Sequence, residues 1–215
     1  MSLSTELTVG MLGLRLADDV QTSLHNVTPG NRRDPKGWQH QISDGGEPTL
    51  EYRAAIDTLA WREKTDQQTD WLQVVGGAEA AAGYNTYGWA GGLVKLGWMG
   101  NDYGTPGNII QPLAGLANDA GGDANSLREF YAFARAGGYG VAYNALLEGQ
   151  FRPSGVTYSS SQIEHFVDEF QYGVALSISR LSLMYALTRR SAEFKSNLAE
   201  PHYFATATAT WAWDF

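Results

Sequence analysis

The sequence predicts an all-β protein, an antiparallel β-barrel that crosses a membrane with its strands. Three observations support this prediction: alternation of apolar with small or polar residues, apolar rows of about ten residues, and aromatic residues at the ends of these rows. A tilted strand of roughly ten residues is long enough to cross a bilayer. We expect the chain to form a single barrel domain over residues 1–215.

The last strand shows the alternation most clearly. One parity is apolar and ends in aromatic side chains, namely Tyr203, Ala205, Ala207, Ala209, Trp211, Trp213 and Phe215. The other parity carries Thr206, Thr208 and Thr210. Alternation with a period of two residues predicts a strand. Aromatic side chains gathered at the end of such a row are typical of the interfacial girdle of a membrane barrel. We therefore expect the apolar parity to contact lipid and the threonines to face the lumen.

Other apolar rows predict further strands. A change of parity at Ser179-Arg180 predicts a tight hairpin, with Phe170, Tyr172, Val174, Leu176 and Ile178 before it and Leu181, Leu183, Tyr185 and Leu187 after it. Closer to the N-terminus, two more rows are formed by Leu3, Leu7, Val9 and Met11 and by Leu50, Tyr52, Ala54 and Ile56. Charged residues alternate with the second of these rows and should face the lumen, namely Glu51, Arg53 and Asp57.

Less regular strands are predicted over residues 70–83 and 86–98, with a reversal near Tyr84-Asn85, and over residues 128–144. In the last of these, glycines and alanines are predicted to fill the inward parity. The total is about eight strands. Segments 100–126 and 145–163 are rich in Gly, Asn, Asp, Pro and Ser, which predicts long loops on the side opposite the tight turns.

Composition limits the possible classes of protein. A net charge of −8 without clustered Lys and Arg predicts that the chain does not bind nucleic acid. We also expect the chain to be a monomer. Without cysteine, neither a disulfide framework nor a thiolate metal site is possible. A soluble barrel of the lipocalin or avidin type has the same period-two pattern. The row lengths and the aromatic row ends favour the membrane barrel.

Residues 20–41 form a long interruption between strands and contain two of the four histidines. Asp18 or Asp19 could cap a short helix that carries Gln21 and His25 one turn apart. The imidazole of His25 could then act as a general base, oriented by Gln21, while Asp34 holds its second ring nitrogen. The alternative is that His25 is a solvated loop histidine. Neither an H-E-x-x-H zinc motif nor a G-x-S-x-G elbow is present in the sequence.

This region resembles the lipid A 3-O-deacylase family of outer-membrane enzymes from Gram-negative bacteria. The family has a V-Q-x-x-x-H run followed by P-x-G-W-x-x-Q, and Val20-Gln21, His25 and residues 35–41 match these motifs. Similarity continues through Tyr84-Asn85, residues 93–97, residues 144–149 and Thr188-Arg189 to Phe215. The resemblance thus covers essentially the whole chain.

The resemblance implies a twelve-stranded outer-membrane barrel that removes the ester-linked acyl chain at the 3-position of lipid A in a calcium-dependent reaction. His25 matches the catalytic base of the family and Gln21 matches the neighbouring glutamine. Asp34 lies where the family has an acidic residue, usually Glu, although a few residues are inserted before it. The implied substrate is lipid A or lipopolysaccharide, and the implied cofactor is Ca²⁺, which would polarise the ester carbonyl.

The chain departs from the family at its N-terminus. The N-terminal strands of the family, with an Asn-Asp pair and a hydroxyl residue, have no counterpart here, and Asn101-Asp102 matches a later loop. We therefore expect an N-terminally truncated copy with about eight of twelve strands, without calcium ligands and inactive by itself. Two other functions stay open: a non-catalytic outer-membrane barrel, structural or pore-forming, and a soluble barrel that binds a small ligand.

Overall fold

The computed structural model describes residues 1–13, 46–65, 69–99, 127–152, 155–197 and 199–211, together with Asp19, Val20, Ser23 and Ile42. The described residues form eight strands: β1 (Ser2–Leu12), β2 (Glu47–Lys64), β3 (Asp70–Gly83), β4 (Asn85–Met99), β5 (Leu127–Asn144), β6 (Phe166–Ile178), β7 (Leu181–Arg190) and β8 (His202–Trp211). A short helix, α1 (Ala145–Glu148), follows β5, and a 3-10 helix occupies Ser160–Gln162. No helix in these ranges is long and apolar enough to cross a membrane.

The eight strands form one sheet in sequence order, and every neighbouring pair is antiparallel. Across the described residues, no ladder joins β1 to β8, so these two are the edge strands. The predicted reversals are confirmed: Ile178 pairs with Leu181 around the two-residue turn at Ser179-Arg180, and Tyr84 separates β3 from β4. Ser179 has a φ of 54°, the left-handed conformation that such a tight turn requires.

The two faces of the sheet have opposite chemistry. On β2, Glu51 and Asp57 are only 1% and 2% exposed, whereas Leu50 and Tyr52 are 58% and 52% exposed. On β8, Tyr203 and Trp211 are exposed, and Thr206 is less so. Polar residues inside and apolar residues outside are the reverse of a soluble sheet and are typical of a membrane barrel. The predicted fold class, an antiparallel outer-membrane β-barrel, is confirmed.

The curvature of the sheet shields the side chains on its inner face from solvent. Val75 and Leu93 are fully buried although the described structure has only this one layer. The sheet must therefore curl around them, with apolar residues filling the middle of its concave side. This inner cluster contains Val75, Trp89, Leu93, Met99, Tyr131, Phe133, Ala175 and Ala186.

The prediction for the interior of β5 was wrong. Tyr131, Phe133 and Arg135 face inward and are 1%, 4% and 6% exposed, whereas the intervening Ala132 and Ala136 lie on the outer face. The physical reason is that a single curled layer must fill its own concave side, which requires large side chains. Alanine and glycine bury too little apolar surface for the sequence to show which face of the strand they occupy.

The predicted placement of the long loops was also wrong. Because consecutive strands reverse direction, connections alternate between the two ends of the sheet regardless of their length. The upper end, as we name it, carries the connections of residues 13–46, Tyr84, 145–165 and 191–201. The lower end carries those of residues 65–69, 100–126 and 179–180. Segments 100–126 and 145–163 therefore belong to opposite ends, and each end has one tight turn.

Candidate functional site

The predicted catalytic residues His25, Gln21 and Asp34 lie outside the described residues, as do Trp38 and Asn101-Asp102. Their assignment therefore stays a prediction. Of the predicted short helix, Val20 and Ser23 are described, and both have helical conformation.

The two ends of the connection that carries His25 are nevertheless defined. Leu12, the last residue of β1, pairs with Glu47, the first residue of β2. Near the C-terminal end of the connection, a Cβ built on Gly149 would lie 3.9 Å from Cγ2 of Ile42. The connection therefore leaves and returns at the upper end, beside the segment that follows α1.

A cavity of about 410 Å³ lies on the concave side of the sheet at this same end. Strands β2 to β8 all contribute to it, and its lining combines charged, amide, aromatic and aliphatic side chains. The polar residues in the lining are Arg53, Glu79, Asn85, Tyr87, Arg135, Tyr139, Tyr143, Asn144, Glu169, Gln171, Thr188, Arg190 and Glu193. This cavity is the candidate functional site of the described structure.

Glu169 is the centre of one ion-pair network in the cavity. Its side chain is 5% exposed and accepts hydrogen bonds from Arg135 on β5 and from Arg190 on β7. Arg190 donates from Nε at 3.0 Å and from Nη2 at 2.6 Å to the same carboxylate oxygen. The hydroxyl of Tyr139 donates to Glu169 at 3.4 Å. One carboxylate thus joins three strands by charge-assisted hydrogen bonds.

Arg53 on β2 is the centre of a second network. It donates from Nη2 to Glu51 at 2.9 Å, and its Nε lies 3.4 Å from Oε1 of Glu79 on β3. Glu6 on β1 lies 3.8 Å from Nη1 of the same guanidinium. The hydroxyl of Tyr87 on β4 donates to Glu79. The two networks together form a charged belt across the inner face from β1 to β7.

Aromatic rings separate and orient the two networks. The guanidinium of Arg135 lies over the ring of Trp89, 4.3 Å from its centroid, which is a cation–π contact. Tyr87 and Tyr139 meet edge to face with their centroids 5.3 Å apart. Gly137 makes room for the indole, because a Cβ at this position would lie 2.3 Å from Cζ2 of Trp89. The indole is therefore fixed against the strand, and Arg135 is fixed on the indole.

The upper rim of the cavity is formed by α1 and the residues after it. The Asn144 side chain accepts from the backbone N–H of Leu146, and Glu148 accepts from the backbone N–H of Asn144. Such reciprocal bonds are typical of a capped helix start. Tyr143 donates from its hydroxyl to the carbonyl of Gly149. These bonds fix the segment that contains Leu146, a cavity-lining residue.

The same rim is bonded to the strand that follows the His25 connection. Glu47 is 1% exposed and accepts from the backbone N–H of Phe151 at 3.3 Å, and its other oxygen lies 3.9 Å from Nε of Arg152. The end of the connection is therefore held against the rim of the cavity by a buried carboxylate.

Sequence reasoning did not identify most of this site. The inward placement of Glu51 and Arg53 was predicted from their alternation with Leu50 and Tyr52, and it is confirmed. The other lining residues come from strands distant in sequence, so no local motif unites them. The sequence signal that could have found these lining residues is a charged or aromatic residue on the inward-facing side of a strand near its upper end, as for Glu169.

The described residues do not fit the predicted calcium ion. Within the described ranges, no group of three or more His, Asp or Glu side chains is arranged to hold a metal. Of the acidic residues beside the predicted helix, only Asp19 is described. The calcium requirement therefore stays a prediction.

The fold defines the chain as an outer-membrane β-barrel protein, with a polar cavity at the end of the sheet where the connection between β1 and β2 leaves and returns. The family model described as outer membrane protein LpxR matches residues 2–213. The chain belongs to this family, and it is a protein of the outer membrane.

A solved structure has the same fold. LpxR from Salmonella typhimurium superposes with a TM-score of 0.68 and 19% sequence identity, covering 98% of this chain and 68% of that protein. At this identity, the likeness establishes the fold. A search of curated proteins gave no match.

Proposed function

We propose that this protein is a carboxylic ester hydrolase of the lipid A 3-O-deacylase type, with His25 as general base. The observation that carries the proposal is the position of the His25 connection. It leaves at Leu12, returns at Glu47 and adjoins the rim of a polar cavity at the upper end of the barrel. Family membership supports the same activity, and the V-Q-x-x-x-H run supplies the base.

In the proposed reaction, His25 removes a proton from a water molecule as the water oxygen attacks the ester carbonyl. The bond between the acyl carbon and the sugar oxygen then breaks, and the imidazolium returns its proton to the leaving oxygen. The products are a free fatty acid and a sugar hydroxyl. Gln21, one helical turn before His25, orients the imidazole or the water, and Asp34 stabilises the imidazolium.

Membrane placement follows from the outer face of the sheet. Leu3 and Val9 on β1 are 73% and 74% exposed, and Phe170, Tyr172 and Val174 on β6 are also exposed, so these strands present apolar side chains to lipid. The proposed activity requires the upper end, which carries the His25 connection, to lie in the leaflet that contains lipopolysaccharide. The substrate would thus meet the His25 connection from the side.

The filled interior counts against the alternative of a water-filled pore. Trp89, Leu93 and Tyr131 are at most 3% exposed and occupy the concave side between the two ends. A pore instead requires a polar, solvated lumen. The exposed apolar outer face likewise counts against a soluble ligand-binding barrel.

The decisive experiment measures release of ester-linked fatty acid from lipopolysaccharide by the purified, refolded protein in detergent. The test uses a protein that carries this connection together with the N-terminal strands of the family, and we expect release with His25 and no release after His25→Asn. Correct folding of both proteins is checked by heat-modifiable migration on a gel. Equal release by the two proteins would show that His25 is not the base, and no release by either would support the non-catalytic barrel.

A further inference from the structure

Two contacts show how the end of the His25 connection approaches the rim of the cavity. A Cβ built on Gly149 would lie 3.9 Å from Cγ2 of Ile42, and the Glu47 carboxylate accepts from the backbone N–H of Phe151 at 3.3 Å. Residues 42 and 47 thus lie beside residues 149 and 151, so the two segments run side by side in the same direction. The residues just before Ile42 therefore lead toward those just before Gly149, which form α1.

The helix α1 is held in place by backbone hydrogen bonds to its neighbours. The N–H of Ala145 donates to the carbonyl of Tyr84 at 2.8 Å, and the carbonyl of Leu147 accepts from the N–H of Tyr158 at 2.8 Å. Ala145 is also fully buried. Because α1 is fixed in this way, little conformational entropy is lost on its side when another segment packs against it.

Leu146 is the exposed apolar residue of α1. Its side chain is 52% exposed and lines the cavity, which distinguishes it from the lipid-facing apolar rows on the outer face of the sheet. Contact with another apolar side chain would remove this surface from water and would be favourable. Leu146 is therefore a candidate docking point for a segment at the upper end.

Trp38 is the residue of the connection that can reach Leu146. It precedes Ile42 by four residues, which span at most about 14 Å in an extended chain. Leu146 precedes Gly149 by three residues, or about 5 Å along a helix. Within residues 34–41, Trp38 is the single large apolar residue. Its indole has enough apolar surface to cover a leucine side chain.

We propose that Leu146 is a docking point for the His25 connection, with the indole of Trp38 as its occupant. The contact adds a third fixed point to those at Ile42 and Glu47 and so limits the positions that His25 can take beside the cavity. Leu146 is in this sense a positioning residue. The docking is independent of the reaction, and only its role for His25 rests on the proposed function.

Limited trypsin digestion of the refolded 215-residue protein in detergent tests the docking without any enzymatic activity. The cleavage sites are Arg32 and Arg33, a few residues before Trp38. Leu146→Ala should speed cleavage there about tenfold, because part of the apolar contact is lost and cleavage follows the undocked population. The helix should be unaffected, since alanine is the best helix former.

Phe151→Ala is the matched control for Leu146→Ala. Phe151 is 74% exposed on the same rim, but it follows Gly149, and its bond to Glu47 uses the backbone N–H that alanine keeps. This variant should leave the cleavage rate unchanged. Equal cleavage rates for the original protein, Leu146→Ala and Phe151→Ala would overturn the proposal and would show that Leu146 faces lipid or solvent.

Trp38→Ala identifies the occupant. It should speed cleavage as much as Leu146→Ala, and the double variant should be cleaved no faster than either, because both changes remove the same contact. Additive effects would exclude Trp38 as the occupant. Protection that increases with protein concentration would assign the contact to a second copy of the chain and would likewise overturn the proposal.

Heat-modifiable migration establishes folding for each variant, and Leu146→Gln replaces Leu146→Ala if the latter does not fold. The positioning role is measured in a protein that carries the N-terminal strands of the family. There, Leu146→Ala should lower the kcat of fatty-acid release about tenfold with KM nearly unchanged, because a displaced base reacts more slowly. Leu146→Met, which keeps an apolar side chain of similar volume, should restore kcat.

The two measurements separate the two proposals. Faster cleavage of Leu146→Ala without any change in kcat refutes the positioning role. Docking by the cleavage test in a protein that releases no fatty acid refutes the hydrolase alone. Fatty-acid release together with equal cleavage rates for all variants refutes the docking alone.

Discussion

Leu12 and Glu47 lie opposite each other at the upper end of the antiparallel β1–β2 ladder, although the whole His25 connection lies between them in sequence. Glu47 is also bonded to Phe151 on the rim of the cavity. One buried carboxylate therefore connects the end of the predicted catalytic connection, the first strand pair and the rim. This relationship places the two ends of the connection that carries the predicted base at the same end of the barrel as the cavity.

In a protein that carries this connection together with the N-terminal strands of the family, replacing His25 by Asn should lower fatty-acid release by about two to four orders of magnitude, the usual contribution of a general base. Barrel stability should be unchanged. His202→Asn is the matched control, because His202 is an exposed residue at the start of β8. Release by the unchanged protein should rise with pH near neutrality, because only the unprotonated imidazole accepts a proton from water. A rate that falls with rising pH would contradict the assignment.

In the same protein with the N-terminal strands of the family, replacing Trp38 by Phe should leave the rate of fatty-acid release within about tenfold of the original, because an aromatic substitution keeps most of the buried area. The prediction treats Trp38 as an anchor of the connection after the Pro35-Lys36-Gly37 turn. The measurement is the initial rate at saturating lipopolysaccharide. A loss as large as that of His25→Asn would instead assign Trp38 to the chemistry.

Replacing Ala209 by Arg should destabilise the barrel in lipid by about 2–4 kcal/mol, the cost of a cation on the lipid face near the bilayer midplane. Ala209 lies on the exposed face of β8 and pairs with Leu183. The free energy of unfolding is measured by denaturant titration in lipid vesicles. Ala209→Leu, which keeps the face apolar, should cost little. Equal stability of both variants would refute the assigned lipid face.

Replacing Gly137 by Ala should destabilise the barrel by about 1–3 kcal/mol through overpacking. The new methyl group would lie 2.3 Å from Cζ2 of Trp89, which is itself fixed under Arg135. Gly76→Ala is the control, because a Cβ at Gly76 meets nothing within 4 Å. The same denaturant titration compares the two. If Gly137→Ala lowers the free energy of unfolding no more than Gly76→Ala does, the indole of Trp89 is not packed against β5.

Replacing Glu169 by Gln should destabilise the barrel by about 3–5 kcal/mol, because it leaves the buried Arg135 without its carboxylate. The adjacent Asp168 provides the control. Its side chain is 49% exposed and paired with Arg189, so Asp168→Asn should cost no more than about 1 kcal/mol. Similar losses of stability for the two variants would show that the buried ion pairs of Glu169 stabilise the barrel no more than an exposed ion pair does.

The sequence by itself determined the class of the fold, the boundaries of some strands and the lipid-facing parity of most rows. It did so because a membrane barrel exposes alternate side chains to lipid and to the interior, and Leu, Ile, Val and aromatic residues differ strongly from Glu, Arg and Thr in these two environments. The predicted strand over residues 70–83 agrees with β3, and the strand over residues 128–144 agrees with β5 to within one residue. The V-Q-x-x-x-H run also identified a candidate base without any structure.

Only the tertiary structure decided what fills the interior and which connections share an end. The parity of β5 was misread, because Ala and Gly carry little environmental preference, and large inward side chains such as Tyr131 are required by the curvature of a single layer. The cavity likewise depends on register. Arg53, Arg135 and Arg190 lie on three strands far apart in sequence, and only antiparallel pairing brings them to one level. Local patterns report which face a residue takes, whereas a site assembled across seven strands depends on how those strands align.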